Sequence, residues 1–149
     1  MIITRRFEFD AGHRVLGHTG KCRHLHGHRY AAEVTVQANE VNELGMVMDF
    51  SDIKVLVGNW IDSNWDHNMI LNSDDPVLLY LCKDEANERK PYILTKTNPT
   101  AENMAEHLWE AVHMLLKGYN KKNPGHYVGV VRVRLYETPN SWADADHRH

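Results

Sequence analysis

Cysteine and long apolar runs are scarce in this sequence. Two of its 149 residues are cysteines, Cys22 and Cys82, and in a reducing compartment they are not expected to form a structural disulfide. No stretch approaches the roughly 18 apolar residues of a membrane span. The first six residues carry two arginines without an apolar segment behind them. We therefore expect a cytoplasmic protein that neither crosses a membrane nor carries a secretory leader.

An excess of positive charge is also missing. Lys and Arg number 17 against 20 Asp and Glu, so the formal net charge is −3. Charge therefore gives no reason to expect nucleic acid or an anionic membrane as the main partner, although a small anionic substrate is compatible with it. With 42% hydrophobic residues, a chain of this length buries about 68–70% of its unfolded surface as one compact unit. We predict a single domain over residues 1–149.

Hydrophobic periodicity predicts strands and helices in a defined order. Alternation with a period of two predicts strands at 3–9, 28–38 and 127–136, and a short extended piece at 92–94. Segments 12–27 and 65–68 are expected to be loops, and 83–90 a solvated surface insertion. Strands, then helices, then a strand predict an α+β domain, in which helices cover one face of an antiparallel sheet.

Capping residues mark the predicted helices. Asp49 or Ser51 begins a helix that runs to about residue 63, and Pro76 lies near the start of a short one. Cys82 follows an apolar run, which favours a small buried residue in that short helix. The third helix begins after Thr100 and is expected to stop at Gly118.

The segment from Cys22 to His28 carries the strongest chemical signal. His26 and His28 are two residues apart, so on a strand their imidazoles leave the same face. His13 lies close enough to complete a three-nitrogen zinc site if the first two strands pair antiparallel. Three neutral imidazoles leave a fourth tetrahedral position open, which is typical of a catalytic metal. The alternative is that the two later histidines are ordinary surface residues.

Acid–base groups surround this predicted zinc site in the sequence. Cys22 is followed and preceded by cationic residues that favour a thiolate, which can act as a base. Asp66 and His67 can relay its proton, although alone they also fit a turn-capping Asp beside an exposed His. Glu137 ends a strand, where a carboxylate can accept two hydrogen bonds from a ligand. Its alternative is a solvated strand end.

Six motifs occur in the order of a known family. They are Phe9-Asp10-Ala11-Gly12-His13, Cys22-x-x-x-His26-Gly27-His28, Gly45-Met46-Val47-Met48-Asp49-Phe50, Asp66-His67 followed by Leu71-Asn72, Pro99-Thr100-Ala101-Glu102-Asn103, and Tyr136-Glu137-Thr138. Together they resemble the 6-pyruvoyltetrahydropterin synthase and 6-carboxytetrahydropterin synthase family, from about residue 7 to residue 142. The segment at 74–98 is longer than in the shortest members.

The resemblance implies a fold, an assembly and roles for individual residues. It implies the tunnelling fold, in which sheets of neighbouring subunits close into a barrel, and a homohexamer built as a dimer of trimers with active sites between subunits. The implied roles are zinc binding by His13, His26 and His28, proton acceptance by Cys22, a relay through Asp66 and His67, and pterin anchoring by Glu137 with Thr100 and Glu102 near that pocket.

The gap of three residues between the thiol and the histidine pair resembles the bacterial 6-carboxy enzyme of queuosine and deazapurine biosynthesis. That lyase converts 7,8-dihydroneopterin triphosphate into 6-carboxy-5,6,7,8-tetrahydropterin, acetaldehyde and triphosphate. Lys21, Arg23 and His24 are candidate phosphate contacts on charge alone. Three alternatives stay open: the pyruvoyl activity, a zinc hydrolase, and a non-enzymatic zinc protein in which Cys22 is the fourth ligand.

Overall fold

The computed structural model describes residues 1–83, 85–86 and 88–147. Within them the strands are β1 (Ile2–His13), β2 (His26–Ala38), β3 (Asn68–Asn72), β4 (Tyr92–Leu94), β5 (Val128–Thr138) and β6 (Ser141–Asp146). The helices are α1 (Phe50–Ile53), α2 (Asn59–Asn64), α3 (Leu78–Leu81) and α4 (Ala101–Lys122). A 3₁₀ turn covers Lys21–Arg23, and a π-helical turn over Lys54–Gly58 joins α1 to α2. In the described part of the chain, no helix combines the length and apolar character that a membrane crossing requires.

The strands form one mixed sheet, curled into a half-barrel, in the order β4-β3-β1-β2-β5-β6. The central pairs β1–β2, β2–β5 and β5–β6 are antiparallel. The α+β fold with an antiparallel sheet centre is thereby confirmed. At one edge, however, β3 runs parallel to both β1 and β4, which the sequence analysis did not anticipate.

Helices pack against one face of this sheet because alternate strand residues are apolar. Phe9 and Tyr30 pair across β1 and β2, and both side chains are fully buried. Phe9 also contacts Trp65, which follows α2, with ring centroids 5.8 Å apart. From α4, Met104 and Leu108 complete this core.

The opposite face of the sheet carries charged residues in cross-strand pairs. Arg6 donates to Glu33 at 3.2 Å, and Arg29 to Asp10 at 3.0 Å. Farther along, Arg134 binds the carboxylate of Asp144 through two nitrogens, at 2.7 and 2.8 Å. This helix-free face therefore satisfies its own charges.

Several element boundaries differ from the predictions. Asp49 and Thr100 cap α1 and α4 as expected, because their side chains accept hydrogen bonds from the amides of Ser51 and Asn103. Helix α4 continues past Gly118 to Lys122, so the predicted stop is wrong.

Cys82 lies just beyond α3 and is exposed, so its predicted burial is also wrong. The segment at 65–68 is a loop up to residue 67, after which β3 begins. The described residues of 83–90 are exposed except Arg89, whose guanidinium donates to the carbonyls of Asp62 and Asp66; Asp84 and Asn87 lie outside the described residues.

Candidate metal centre and substrate cavities

Three histidines converge where β1 meets β2. The antiparallel register pairs His13 with His26, and His28 lies one strand repeat farther on the same face. One nitrogen from each ring lies within 4.8 Å of the other two, and the Nε2 atoms of His13 and His26 are 3.1 Å apart. Gly27 between the two β2 histidines permits this, because a Cβ there would lie 3.1 Å from the carbonyl oxygen of Ala11.

Backbone carbonyls fix which nitrogen of each ring is free. The Nδ1 of His13 donates to the carbonyl of Pro99 at 2.7 Å, and the Nδ1 of His26 to that of His24 at 2.7 Å. Since a carbonyl can only accept, both rings carry hydrogen on Nδ1 and turn Nε2 toward the centre. Burial lowers the pKa of His13 and the pKa of His28 below the ordinary histidine value. These rings are therefore neutral near pH 7, the state that binds metal.

Asn98, the residue before Pro99, is fixed by side-chain hydrogen bonds, and the sequence did not predict this role. Asn98 exchanges two hydrogen bonds with the backbone of Leu16, at 2.9 and 3.1 Å, and accepts one from Asn72 at 3.0 Å. Such outer partners orient a metal-binding imidazole. An Asn-Pro pair before a helix reads as turn chemistry, so the sequence carries no signal for this role.

Glu137 extends from β5 into the histidine cluster. Its Oε1 lies 3.2 Å from the Nε2 of His13 and 3.4 Å from that of His28. The Nε2 of His28 is buried without a hydrogen-bond partner among the described residues. Three imidazoles and one carboxylate are a donor set that suits Zn²⁺, so the residues fit the ion.

Cys22 lines a cavity of about 270 Å³ beside this cluster. Glu137, Thr100 and Glu102 line the same cavity, so the structure brings together four of the predicted catalytic and substrate residues. Ser141 and Trp142 from β6 also line it and were missed. The Pro139-Asn140 pair between two alternating segments is the hairpin signal that predicts β6.

His67 lies elsewhere, in a cavity of about 710 Å³ that His26, His28 and Arg29 also line, and Asp66 precedes it in the chain. The Nδ1 of His67 is 3.0 Å from the Oδ1 of Asp66, which also accepts from the amide of Asp10. Partial burial raises the pKa of Asp66, but these hydrogen bonds outweigh it and hold that pKa below the usual value. Within one chain, His67 of the predicted relay and Cys22 therefore line different cavities.

Tyr30 is a further buried group beside the histidines. Its ring meets His13 and His28 edge-on, with centroids 5.9 and 5.5 Å away. Its hydroxyl is buried and has no hydrogen-bond partner within the described residues, and burial raises the pKa of this phenol. Its position two residues after His28 on the same strand face was the available signal.

Known proteins resemble this chain along nearly its whole length. A family model described as 6-pyruvoyl tetrahydropterin synthase matches residues 2–148. The 6-carboxy-5,6,7,8-tetrahydropterin synthases of Rickettsia bellii and Rickettsia felis are 42% and 43% identical over 141 residues, which cover 95% of this chain and 96% of each relative. A putative enzyme of that name from Pyrococcus abyssi is 34% identical over 148 residues, which cover 92% of this chain and 84% of that protein.

Solved structures share the fold. An uncharacterized protein of Wolinella succinogenes has a TM-score of 0.80 at 25% identity, covering 99% of this chain and 98% of that one. The 6-pyruvoyl tetrahydropterin synthase of Caenorhabditis elegans has a TM-score of 0.67 at 23% identity, covering 99% of this chain and 96% of its own. At this identity the second likeness bears on the fold alone.

Proposed function

This chain belongs to the 6-pyruvoyl tetrahydropterin synthase family, and we propose that it is a zinc-dependent 6-carboxy-5,6,7,8-tetrahydropterin synthase. Its relatives of 42–43% identity carry the name of that enzyme. The observation that carries the proposal is the cluster of three imidazoles, in contact through Glu137 with a cavity that holds a thiol. The substrate class is a dihydropterin triphosphate. With water, 7,8-dihydroneopterin triphosphate yields 6-carboxytetrahydropterin, acetaldehyde and triphosphate, a reaction of queuosine and deazapurine biosynthesis.

The residues divide the chemistry between two cavities. His13, His26 and His28 would hold Zn²⁺, which when bound supplies Lewis-acid polarisation of a substrate oxygen. Cys22 accepts a proton from the carbon next to that oxygen, and Glu137 anchors the pterin with Thr100 and Glu102 beside it.

The relay pair bears on the assembly. Because His67 lines another cavity of the same chain, the separation of the relay from Cys22 favours a site that a second copy completes. We include in the proposal a homohexamer built as a dimer of trimers, in which one subunit brings its relay to its neighbour's thiol. The cytoplasmic location also stays a prediction.

Product analysis tests the activity. Incubation with 7,8-dihydroneopterin triphosphate is expected to release acetaldehyde and 6-carboxytetrahydropterin, both detected by mass spectrometry. Cys22→Ala should lower turnover by about 10²–10⁴, the range for a lost general base, while zinc content stays native. Release of triphosphate without acetaldehyde would assign the pyruvoyl activity instead. Near-native turnover of Cys22→Ala would remove the thiol from the mechanism.

Metal analysis tests the zinc site separately. His26→Ala removes a proposed ligand, so the purified protein should lose most of its zinc while its circular dichroism stays native. His24→Ala is the matched control, because its side chain is exposed and its backbone carbonyl, which accepts from His26, is retained. Stoichiometric zinc in His26→Ala would contradict the assignment.

A further inference from the structure

We propose that Glu137 occupies the fourth position of the metal site in the substrate-free enzyme and leaves it to anchor the pterin when substrate binds. The pterin half of this inference rests on the proposed function, and the metal half does not. From the sequence, the fourth position is expected to be open and Glu137 to be a pterin anchor alone. The position of its carboxylate joins the two roles.

Distances around the cluster match the edges of a tetrahedron. Zinc bonds of about 2.0–2.1 Å at tetrahedral angles separate neighbouring ligand atoms by about 3.3–3.4 Å. The Nε2 atoms of His13 and His26 are 3.1 Å apart, and the Oε1 of Glu137 lies 3.2 and 3.4 Å from the Nε2 atoms of His13 and His28. The carboxylate oxygen therefore lies at the spacing of a neighbouring ligand from two of the three histidine nitrogens.

The hydrogen bonds of the histidines also indicate that a cation belongs in this cluster. Carbonyl partners on Nδ1 leave the Nε2 atoms of His13 and His26 as acceptors, and an ionised carboxylate has no hydrogen to donate. Acceptors that face one another at 3.1–3.2 Å, as here, repel unless a cation lies among them. Glu137 thus shares the need for a cation with the histidines.

The same side chain also reaches the substrate cavity. Glu137 is 28% exposed and lines the space that Cys22, Thr100 and Glu102 enclose. A pterin presents a ring N–H and an exocyclic amine side by side, two donors that one carboxylate accepts together. When the carboxylate turns to these donors, the fourth position becomes free for an oxygen of the substrate side chain. Binding of the pterin end would therefore open the metal site when the reacting end arrives.

Zinc affinity tests whether Glu137 binds the metal in the substrate-free enzyme. In competition with a chelator, Glu137→Gln should bind zinc at least about tenfold more weakly, since even the loss of an outer partner of a ligand costs about ten- to a hundredfold. Glu137→Asp keeps the charge but shortens the reach, and it should weaken zinc in the same direction. Glu102→Gln is the control, a carboxylate of the same cavity, and should bind zinc as the native protein does. Native affinity in both Glu137 variants would overturn the proposal.

Cobalt substitution tests the exchange. Pterin itself, 2-amino-4-oxopteridine, lacks the side-chain hydroxyls of the substrate, so a change in the visible spectrum of the Co²⁺ protein that requires Glu137 reports the departure of this ligand. We expect such a change in the native protein but none in Glu137→Gln. An unchanged spectrum in native protein saturated with pterin would refute the exchange. Weak zinc binding in the Glu137 variants would support Glu137 as a metal ligand even if the product assay failed. The failed product assay would then reject the proposed function alone.

Discussion

Tyr30 carries a buried hydroxyl whose contribution to the free energy of unfolding can be measured with a single substitution. It is buried beside His13 and His28, with no hydrogen-bond partner within the described residues, so the folded protein bears the cost of removing it from water. Tyr30→Phe should therefore leave the free energy of unfolding unchanged or raise it by up to about 1 kcal/mol, as measured by urea denaturation. A fall of more than about 1 kcal/mol would mean that the hydroxyl has a partner in the resting protein.

Residue roles were predictable from sequence where chemistry and spacing coincide. His26 and His28 share a strand face by their spacing. The antiparallel pairing that brings His13 to them was a condition of the prediction, and the structure confirms it with both strands longer than predicted. Asn98 and Trp142 could not be found in this way, because their roles depend on contacts between segments far apart in the chain. The contact between Glu137 and the histidines also requires the register of a third strand.

At the scale of elements, two glycines should respond oppositely to alanine. Gly27 lies in β2 between two proposed metal ligands, where an added Cβ meets a backbone oxygen at 3.1 Å. One added at Gly118 on α4 meets nothing within 4 Å. Gly27→Ala should lower the free energy of unfolding by about 1–3 kcal/mol and weaken zinc binding. Gly118→Ala should raise it by about 0.5–1 kcal/mol, because alanine loses less backbone entropy in a helix.

Thermal denaturation of the two variants, with zinc analysis of each, measures both effects. An increase in stability for Gly27→Ala would show that β1 and β2 can separate without cost. A decrease for Gly118→Ala would show that α4 is distorted at this position.

Elements were predictable where a periodic pattern ran long enough. The alternation in β1, β2 and β5 extends over 11–13 residues, and all three were found. In contrast, β3 spans five residues with both flanks polar, and its parallel pairing depends on β1, so the local sequence does not specify it. The glycine at 118 failed as a stop signal because helix packing against β5 and β6 overrides a local preference.

At the scale of the whole molecule, the sheet has two strands at its ends. In the described part of the chain, β4 and β6 each pair with one neighbour, and both carry exposed apolar side chains, Ile93 at 44% and Trp142 at 49%. Unpaired edges with such residues favour association with further copies. Light scattering at micromolar concentration should therefore find a trimer or hexamer.

A charge on the β4 edge should reverse this association. Ile93→Lys is expected to shift the particle toward the monomer with native circular dichroism, since a buried lysine at an interface is costly. Leu79→Lys, at an exposed site outside the sheet, is the control and should assemble normally. A native protein that stays monomeric would contradict the proposed assembly.

The paired charges on the helix-free face of the sheet bear on the order of events in biogenesis. Arg6 with Glu33, and Arg134 with Asp144, are neutralised within one chain, so that surface is compatible with water before any other copy arrives. Acquisition of the native fold is then a unimolecular process whose rate is independent of concentration. Association of the folded protomers follows as a separate collision step, and its rate increases with protein concentration. Under the proposed assembly, this face of a newly made chain therefore remains hydrated until further copies bind at the sheet edges.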